Sequence, residues 1–171
     1  VHYQSNRQVD GTPLRVLAGA SSLFTTWLGL TVAVGYGNSF SKGESYSSVI
    51  GSLDVRFLLP SAARITLGYR RDFADSLLAH AYGDDQFSVA LDQPLFRRLM
   101  AHLDASVRLR KYVGLVPAGE INPAWMFSAA QRDDVIYEAH ADLSVLLTSW
   151  LVLGASYALL ADVTDFAIID R

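Results

Sequence analysis

The chain has 171 residues, 51% of them hydrophobic and 18% charged, with a net charge of -3 and no cysteine. That length fits one domain, the charged fraction lies below the roughly 25% of an average soluble domain, and the charge balance leaves no nucleic-acid footprint. Disulfides and thiolate metal sites are excluded, and lysine is reduced to Lys42 and Lys111 against twelve arginines, so the Lys/Glu coat that soluble β-proteins put on surfaces and edges is missing.

Alternation of apolar and polar residues predicts eight strands. The first covers residues 14–23, with Leu14, Val16, Ala18 and Ala20 on one face and Arg15, Gly19 and Ser21 on the other. A short turn at Thr25-Thr26 leads into the second, residues 27–37, where Leu28, Leu30, Val32, Val34 and Tyr36 oppose Gly29, Thr31, Ala33 and Gly35. Side chains alternate along a strand, so one face here is wholly apolar and the other wholly small. That pairing suits a barrel with lipid outside and a crowded inside.

A polar loop, residues 38–45, precedes the third strand, residues 48–59, with Ser52, Asp54 and Arg56 on its polar face. Pro60-Ser61-Ala62 forms the next tight turn, since proline fixes φ where no ladder donor is needed. The fourth strand, residues 63–70, sets Arg64, Thr66, Gly68 and Arg70 against Ile65, Leu67 and Tyr69. Residues 71–84 are expected to be a longer loop with a helical turn at 74–80. The fifth strand, residues 85–95, carries Ser88, Ala90 and Asp92 on its polar face, and a compact turn follows at Phe96-Arg97.

The sixth strand, residues 98–112, alternates most clearly: Leu99, Ala101, Leu103, Ala105, Val107 and Leu109 against Arg98, His102, Asp104, Ser106, Arg108 and Arg110. The longest loop, residues 113–132, contains Pro117, Gly119 and Pro123. The seventh strand, residues 134–147, puts Glu138, His140, Asp142 and Ser144 on its polar face, and the eighth, residues 150–160, repeats the grammar of the second.

Eight spans of about ten residues match the length a tilted membrane strand requires. Short turns at Thr25, Pro60, Phe96 and Thr148 alternate with long loops at Asn38, Asp72 and Val113, as in outer-membrane barrels. Trp27 and Trp150 fall near the tight turns, and Tyr36, Tyr69, Tyr112 and Tyr137 near the loops, which suits interfacial girdles. Residues 17–40 and 143–160 are uncharged and long enough for a membrane helix, but polar Thr25-Thr26 and Thr148-Ser149 interrupt them and strict alternation resumes afterwards. The expected fold is therefore an all-β, antiparallel up-and-down transmembrane β-barrel of about eight strands in one domain, residues 1–171.

With short turns after odd strands, both chain ends fall on the loop side, whereas autonomous barrels usually begin and end in the periplasm. Val1-His2-Tyr3 and Phe166-Ala167-Ile168-Ile169 fit the stubs of further strands, so a segment of a larger barrel is expected. The sequence opens on Val1 with no basic stretch leading into an apolar run, so a processed or trimmed form is expected.

The runs G-T-P-L-R-V-L-A-G from Gly11, L-T-V-A-V-G-Y-G-N from Leu30 and L-G-Y-R-R-D-F-A-D-S from Leu67 resemble a porin-like family of outer-membrane β-barrel proteins of Gram-negative bacteria. The likeness covers most of the chain and rests on strand grammar and short phrases. Some members are longer and are associated with polysaccharide secretion. The resemblance implies residence in the bacterial outer membrane and periplasmic or polysaccharide partners; it transfers no functional residues.

The polar face collects Arg15, Asp54, Arg56, Arg64, Arg70, Asp92, Arg98, His102, Asp104, Arg108, Arg110, Glu138, His140 and Asp142. In a narrow closed barrel these charges pair and plug the lumen; in a wider one they line water, and the excess of arginine favours anions, including acidic sugars. The echo A-H-L-D-A-S at Ala101 and A-H-A-D-L-S at Ala139 puts two His and two Asp on one face of consecutive strands. Such a set serves a hydrogen-bonded network, a divalent metal, or a base oriented by a carboxylate. No G-x-S-x-G, phosphate loop or H-E-x-x-H is present, so neither an enzyme nor a cofactor is expected. The leading expectation is a channel or transport component for polysaccharide or small anionic solutes. The alternatives are a non-conducting structural or adhesion barrel displaying recognition loops, and a soluble β-barrel ligand carrier with the faces reversed.

Overall fold

The computed structural model describes residues 14–38, 47–76, 79–115, 125–127, 132–164 and 168–170. Eight long strands form one antiparallel sheet: β1 (Leu14–Leu23), β2 (Leu28–Asn38), β3 (Ser47–Leu58), β4 (Arg64–Asp75), β5 (Ala79–Phe96), β6 (Leu99–Leu115), β8 (Asp133–Thr148) and β9 (Leu151–Thr164). Their spatial order, β1-β2-β3-β4-β5-β6-β8-β9, is an up-and-down meander. A separate two-stranded ladder joins β7 (Trp125–Phe127) to β10 (Ile168–Asp170). No helix occurs among the described residues.

The sheet is open. No ladder joins β1 to β9 among the described residues, and both edge strands are exposed nearly from end to end. The expectation of further strand stubs falls outside the described residues at 1–3 and 166–167. Ile168–Asp170 pairs with the three-residue strand inside the long loop rather than with the main sheet.

Residues 71–84 correct the sequence reading. Among the described residues they hold no helical turn: β4 continues to Asp75, β5 starts at Ala79, and Asp72 faces Asp84 in an unbroken ladder. The physical cause is that alternation persists (Arg70, Asp72, Ala74 against Tyr82, Asp84, Gln86) after the purely apolar partner face has ended. β6 likewise runs on to Leu115, past its expected end.

The tight turns behave as expected. Leu59 and Ala63 close the third hairpin, with Ala62 N–H donating to Leu59 O at 2.9 Å and Ala62 itself at φ 62°. This is a turn capped by a left-handed residue, the position that normally recruits glycine.

Every second residue of 49–57, 65–69, 87–91, 99–109, 135–145 and 153–163 faces one side of the sheet, and none of these is Asp, Glu, Lys or Arg. The ladder registers align them into rows such as Leu53–Tyr69–Phe87–Val107–Tyr137. Much of this face is exposed, including Leu103, Leu109, Tyr137 and Leu143. Trp27 stacks on Phe57 at 6.4 Å toward the short-turn end, and Tyr69 tilts on Phe87 at 5.0 Å toward the loop end. Tyr112 does not join this aromatic set: it shares the parity of Arg110 and pairs with Tyr82 on the polar face, ring centroids 5.7 Å apart.

The polar face is the concave one. Arg15 on β1 donates from Nε to Asp72 Oδ1 (3.2 Å) and from Nη2 to Phe73 O (2.6 Å), both on β4. Neighbouring strands lie about 4.8 Å apart, so three intervals on a flat sheet would exceed the reach of one side chain; the sheet curls toward this face. Gly37 makes the curl sterically feasible, because a Cβ there would collide with the Phe73 ring. Gly35 lets β1 approach β2: its Cβ would lie 2.8 Å from Leu17 Cα. The small residues of β2 thus meet a crowded interior, whereas Gly154, Ser156 and Ala158 of β9 lie exposed.

Candidate functional site

The polar residues of β4, β5, β6 and β8 form a ladder across the concave face, because the registers set them directly opposite one another. His102 lies between Asp92 on β5 and Asp142 on β8, and Asp104 faces His140. The two H-x-D repeats therefore do converge. His102 Nδ1 is 2.8 Å from Asp92 Oδ1, its Nε2 is 3.2 Å from Asp104 Oδ1, and His140 Nδ1 is 3.4 Å from Asp104 Oδ2. A neutral imidazole has a single N–H, so both His102 contacts are hydrogen bonds only when the ring is an imidazolium.

Toward the loop end, Gln86 donates to Ser106 Oγ (3.1 Å), and Ser106 donates to Glu138 (3.3 Å). Arg108 Nη2 reaches both Glu138 oxygens at 3.2 Å. Arg110 grips Asp84 with two parallel bonds, 2.8 and 2.9 Å, while its guanidinium lies 4.0 Å over the Tyr82 ring. Such forks combine charge with fixed geometry and are the stronger kind of ion pair. Arg132, just before β8, bonds the buried Asp134 carboxylate at 2.7 Å and lies 4.6 Å over Tyr112. That carboxylate holds the Arg132 guanidinium charged beyond its ordinary range, against the opposing pull of burial.

Among the fourteen polar-face candidates, Asp92, His102, Asp104 and His140 come together in one chain of contacts, and Arg108, Arg110 and Glu138 in another, joined through Asp84. Asp142 stands opposite His102 in register, with no hydrogen bond between them among the described residues. Arg70 pairs with Asp72 at 3.2 Å. Arg56, Arg64 and Asp54 share the same face but join neither chain. Arg98 turns to Leu147 O, at 3.1 Å.

Sequence reasoning missed Asp72, Asp84, Gln86, Ser106 as a relay, and Asp134. Both Asp72 and Asp84 fall in the expected loop, and their even-numbered parity with Arg70 and Gln86 is the signal that places them on strands. No group of three or more His, Asp or Glu among the described residues is arranged to hold a metal ion. The chemistry this geometry performs is charge pairing and hydrogen bonding. A shallow groove of about 350 Å³ lies over Ala105, Ala139 and Ala141, walled by Val89, Leu91, Leu103 and Tyr157 of the apolar face.

No protein-family model, curated protein or solved structure matches the chain.

Proposed function

We propose that this chain forms wall of a transmembrane β-barrel in a bacterial outer membrane, its apolar face against lipid and its concave face lining a conduit for hydrophilic solutes, polysaccharide or small anions among them. One observation carries the reading. On β6, residues 99–109 present an uncharged outer face through ten residue steps, and the neighbouring strands from β3 to β9 continue it sideways as far as the row of Val107; in the row of Leu109, Asp85 of β5 and Arg71 of β4 begin the charged rim. At ~3.3 Å per residue the β6 face is about 33 Å along the strand. A tilt of ~40° projects it to about 25 Å, the height of the apolar band of outer-membrane barrels.

The free edges support the same reading. In lipid an unpaired strand edge is too costly to persist, so the edges of β1 and β9 call for additional strands that complete a ring wider than eight. A wider ring holds water where a narrow one is filled by side chains. The curl toward the polar side opposes the reversed arrangement of a soluble carrier.

The two chains of paired polar residues on β5, β6 and β8 favour a second reading, a sealed barrel that anchors or displays its loops. Planar-bilayer recording of the purified protein separates the two. The transport reading expects discrete open steps; their complete absence from correctly inserted protein leaves the sealed barrel.

A further inference from the structure

We propose that Arg56 and Arg64 form a two-pronged receptor for an oxyanion, a phosphate or a sugar carboxylate, on the concave face near the short-turn end. The proposal rests on reading that face as solute-facing. Arg56 on β3 stands opposite Thr66, two residues along β4 from Arg64. Both arginines have the parity of the polar face, and diagonal neighbours of this kind lie roughly 7–8 Å apart. Two guanidinium groups that far apart at their base can close on one tetrahedral or planar oxyanion from either side, with the Thr66 hydroxyl as a donor between them.

What sets the pair apart is that neither guanidinium has a carboxylate partner among the described residues, although Asp54 and Asp92 share its face. Asp92 faces Arg64 across the ladder, but its Oδ1 is taken by His102 at 2.8 Å. Asp54 sits two residues from Arg56 on the same face, but its Oδ1 leans over Gly68, within 3.1 Å of where a Cβ would stand. No carboxylate lies within 4.0 Å of either guanidinium among the described residues, in contrast to Arg15, Arg70, Arg108, Arg110 and Arg132. Both residues are exposed. Arginine presents a rigid donor fork matched to carboxylate and phosphate, and these two hold their forks open to solvent.

The inner face is therefore divided. β5, β6 and β8 carry most of the acids of this face, with Arg108 and Arg110 paired to Glu138 and Asp84, while β3 and β4 carry Arg56 and Arg64 without a paired carboxylate among the described residues. A solute with a fixed negative charge is held on the β3–β4 side, and a neutral sugar is not.

Titration calorimetry of the full chain in detergent micelles, with inorganic phosphate and separately with glucuronate, tests this. Arg56→Gln and Arg64→Gln should each weaken binding of whichever anion binds by about tenfold or more, and the double variant should abolish it. Arg97→Gln, in the β5–β6 turn, should leave binding unchanged. Binding by phosphate alone, by glucuronate alone or by both supports the receptor if it depends on the two arginines. Failure of both anions to bind, or equal affinity in wild type and double variant, overturns it. Heat-modifiable gel mobility identifies folded samples, and neither exposed arginine makes a contact on which folding depends. Conductance is scored separately: anion binding without open steps overturns the conduit and leaves the receptor standing, and open steps without arginine-dependent binding do the reverse.

Discussion

The phenolic Oη of Tyr69 donates to Asp85 Oδ1 at 2.6 Å. The ring packs against Phe87 within the apolar rows, while the hydroxyl reaches the first charged row of that face, where Arg71 pairs with the same carboxylate at 3.5 Å. An aromatic body in the apolar layer with a polar tip at its rim is the arrangement favoured at a membrane interface. Tyr69→Phe keeps the ring and removes the bond, so it should cost about 1 kcal/mol, seen as a lower urea midpoint for the folded protein in lipid vesicles.

The apolar face should tolerate charge poorly in lipid. Leu103 lies mid-band on β6 and is 48% exposed. Leu103→Arg should destabilise the inserted protein by about 2–4 kcal/mol. Were that surface in water, an exposed substitution would change stability by no more than about 0.5 kcal/mol. Equilibrium urea unfolding in vesicles distinguishes the two.

Gly37 and Phe73 are coupled. Gly37→Ala places a methyl against the Phe73 ring and should destabilise by about 1–3 kcal/mol, the range for an overpacked contact. Phe73→Leu in the same chain should recover part of that loss. A double-mutant cycle reads the coupling, and strictly additive effects would contradict the curl described for β1 to β4.

Asp84 is shared by Arg108 and Arg110, at 4.0 and 2.8 Å. Asp84→Asn leaves the half-buried Arg110 guanidinium without its counter-charge and Arg108 with Glu138 alone, and should cost about 2 kcal/mol or more. Arg110→Lys should also lose stability, because an ammonium cannot reproduce the fork. Chemical denaturation of each variant checks the order, with wild type the most stable.

Ala62 adopts φ 62° without being glycine. A left-handed conformation costs a non-glycine residue about 1–2 kcal/mol, and glycine's greater freedom in the unfolded chain takes back part of this. Ala62→Gly should therefore raise stability by up to about 1 kcal/mol, measured as an upward shift of the thermal midpoint.

Strand identity was legible wherever apolar and polar residues alternated, and β1 begins and ends at the residues expected from sequence. The β4–β5 hairpin was not, because Asp72, Ala74, Tyr82 and Asp84 alternate with few aliphatic partners; hydrogen bonding extends the ladder there without an apolar stripe to advertise it. Proximity to a loop suggests a girdle position for Tyr112, but its parity with Arg110 decides its face. The pairing of His102 with Asp142 and of Asp104 with His140 depends on register across a long loop, which local pattern does not encode. Closure is not encoded locally either, since an edge strand and a central strand carry the same alternation.

Because the chain has no cysteine, single-cysteine spin labels report on one site at a time. Labels at Leu103→Cys, Val107→Cys, Asp104→Cys and Arg108→Cys in protein reconstituted in vesicles test the orientation of the two faces most directly. The account predicts that labels at 103 and 107 collide with dissolved oxygen and are shielded from a water-soluble nickel complex, with the opposite pattern at 104 and 108. Nickel access at 103 and 107 together with shielding at 104 and 108 would contradict it.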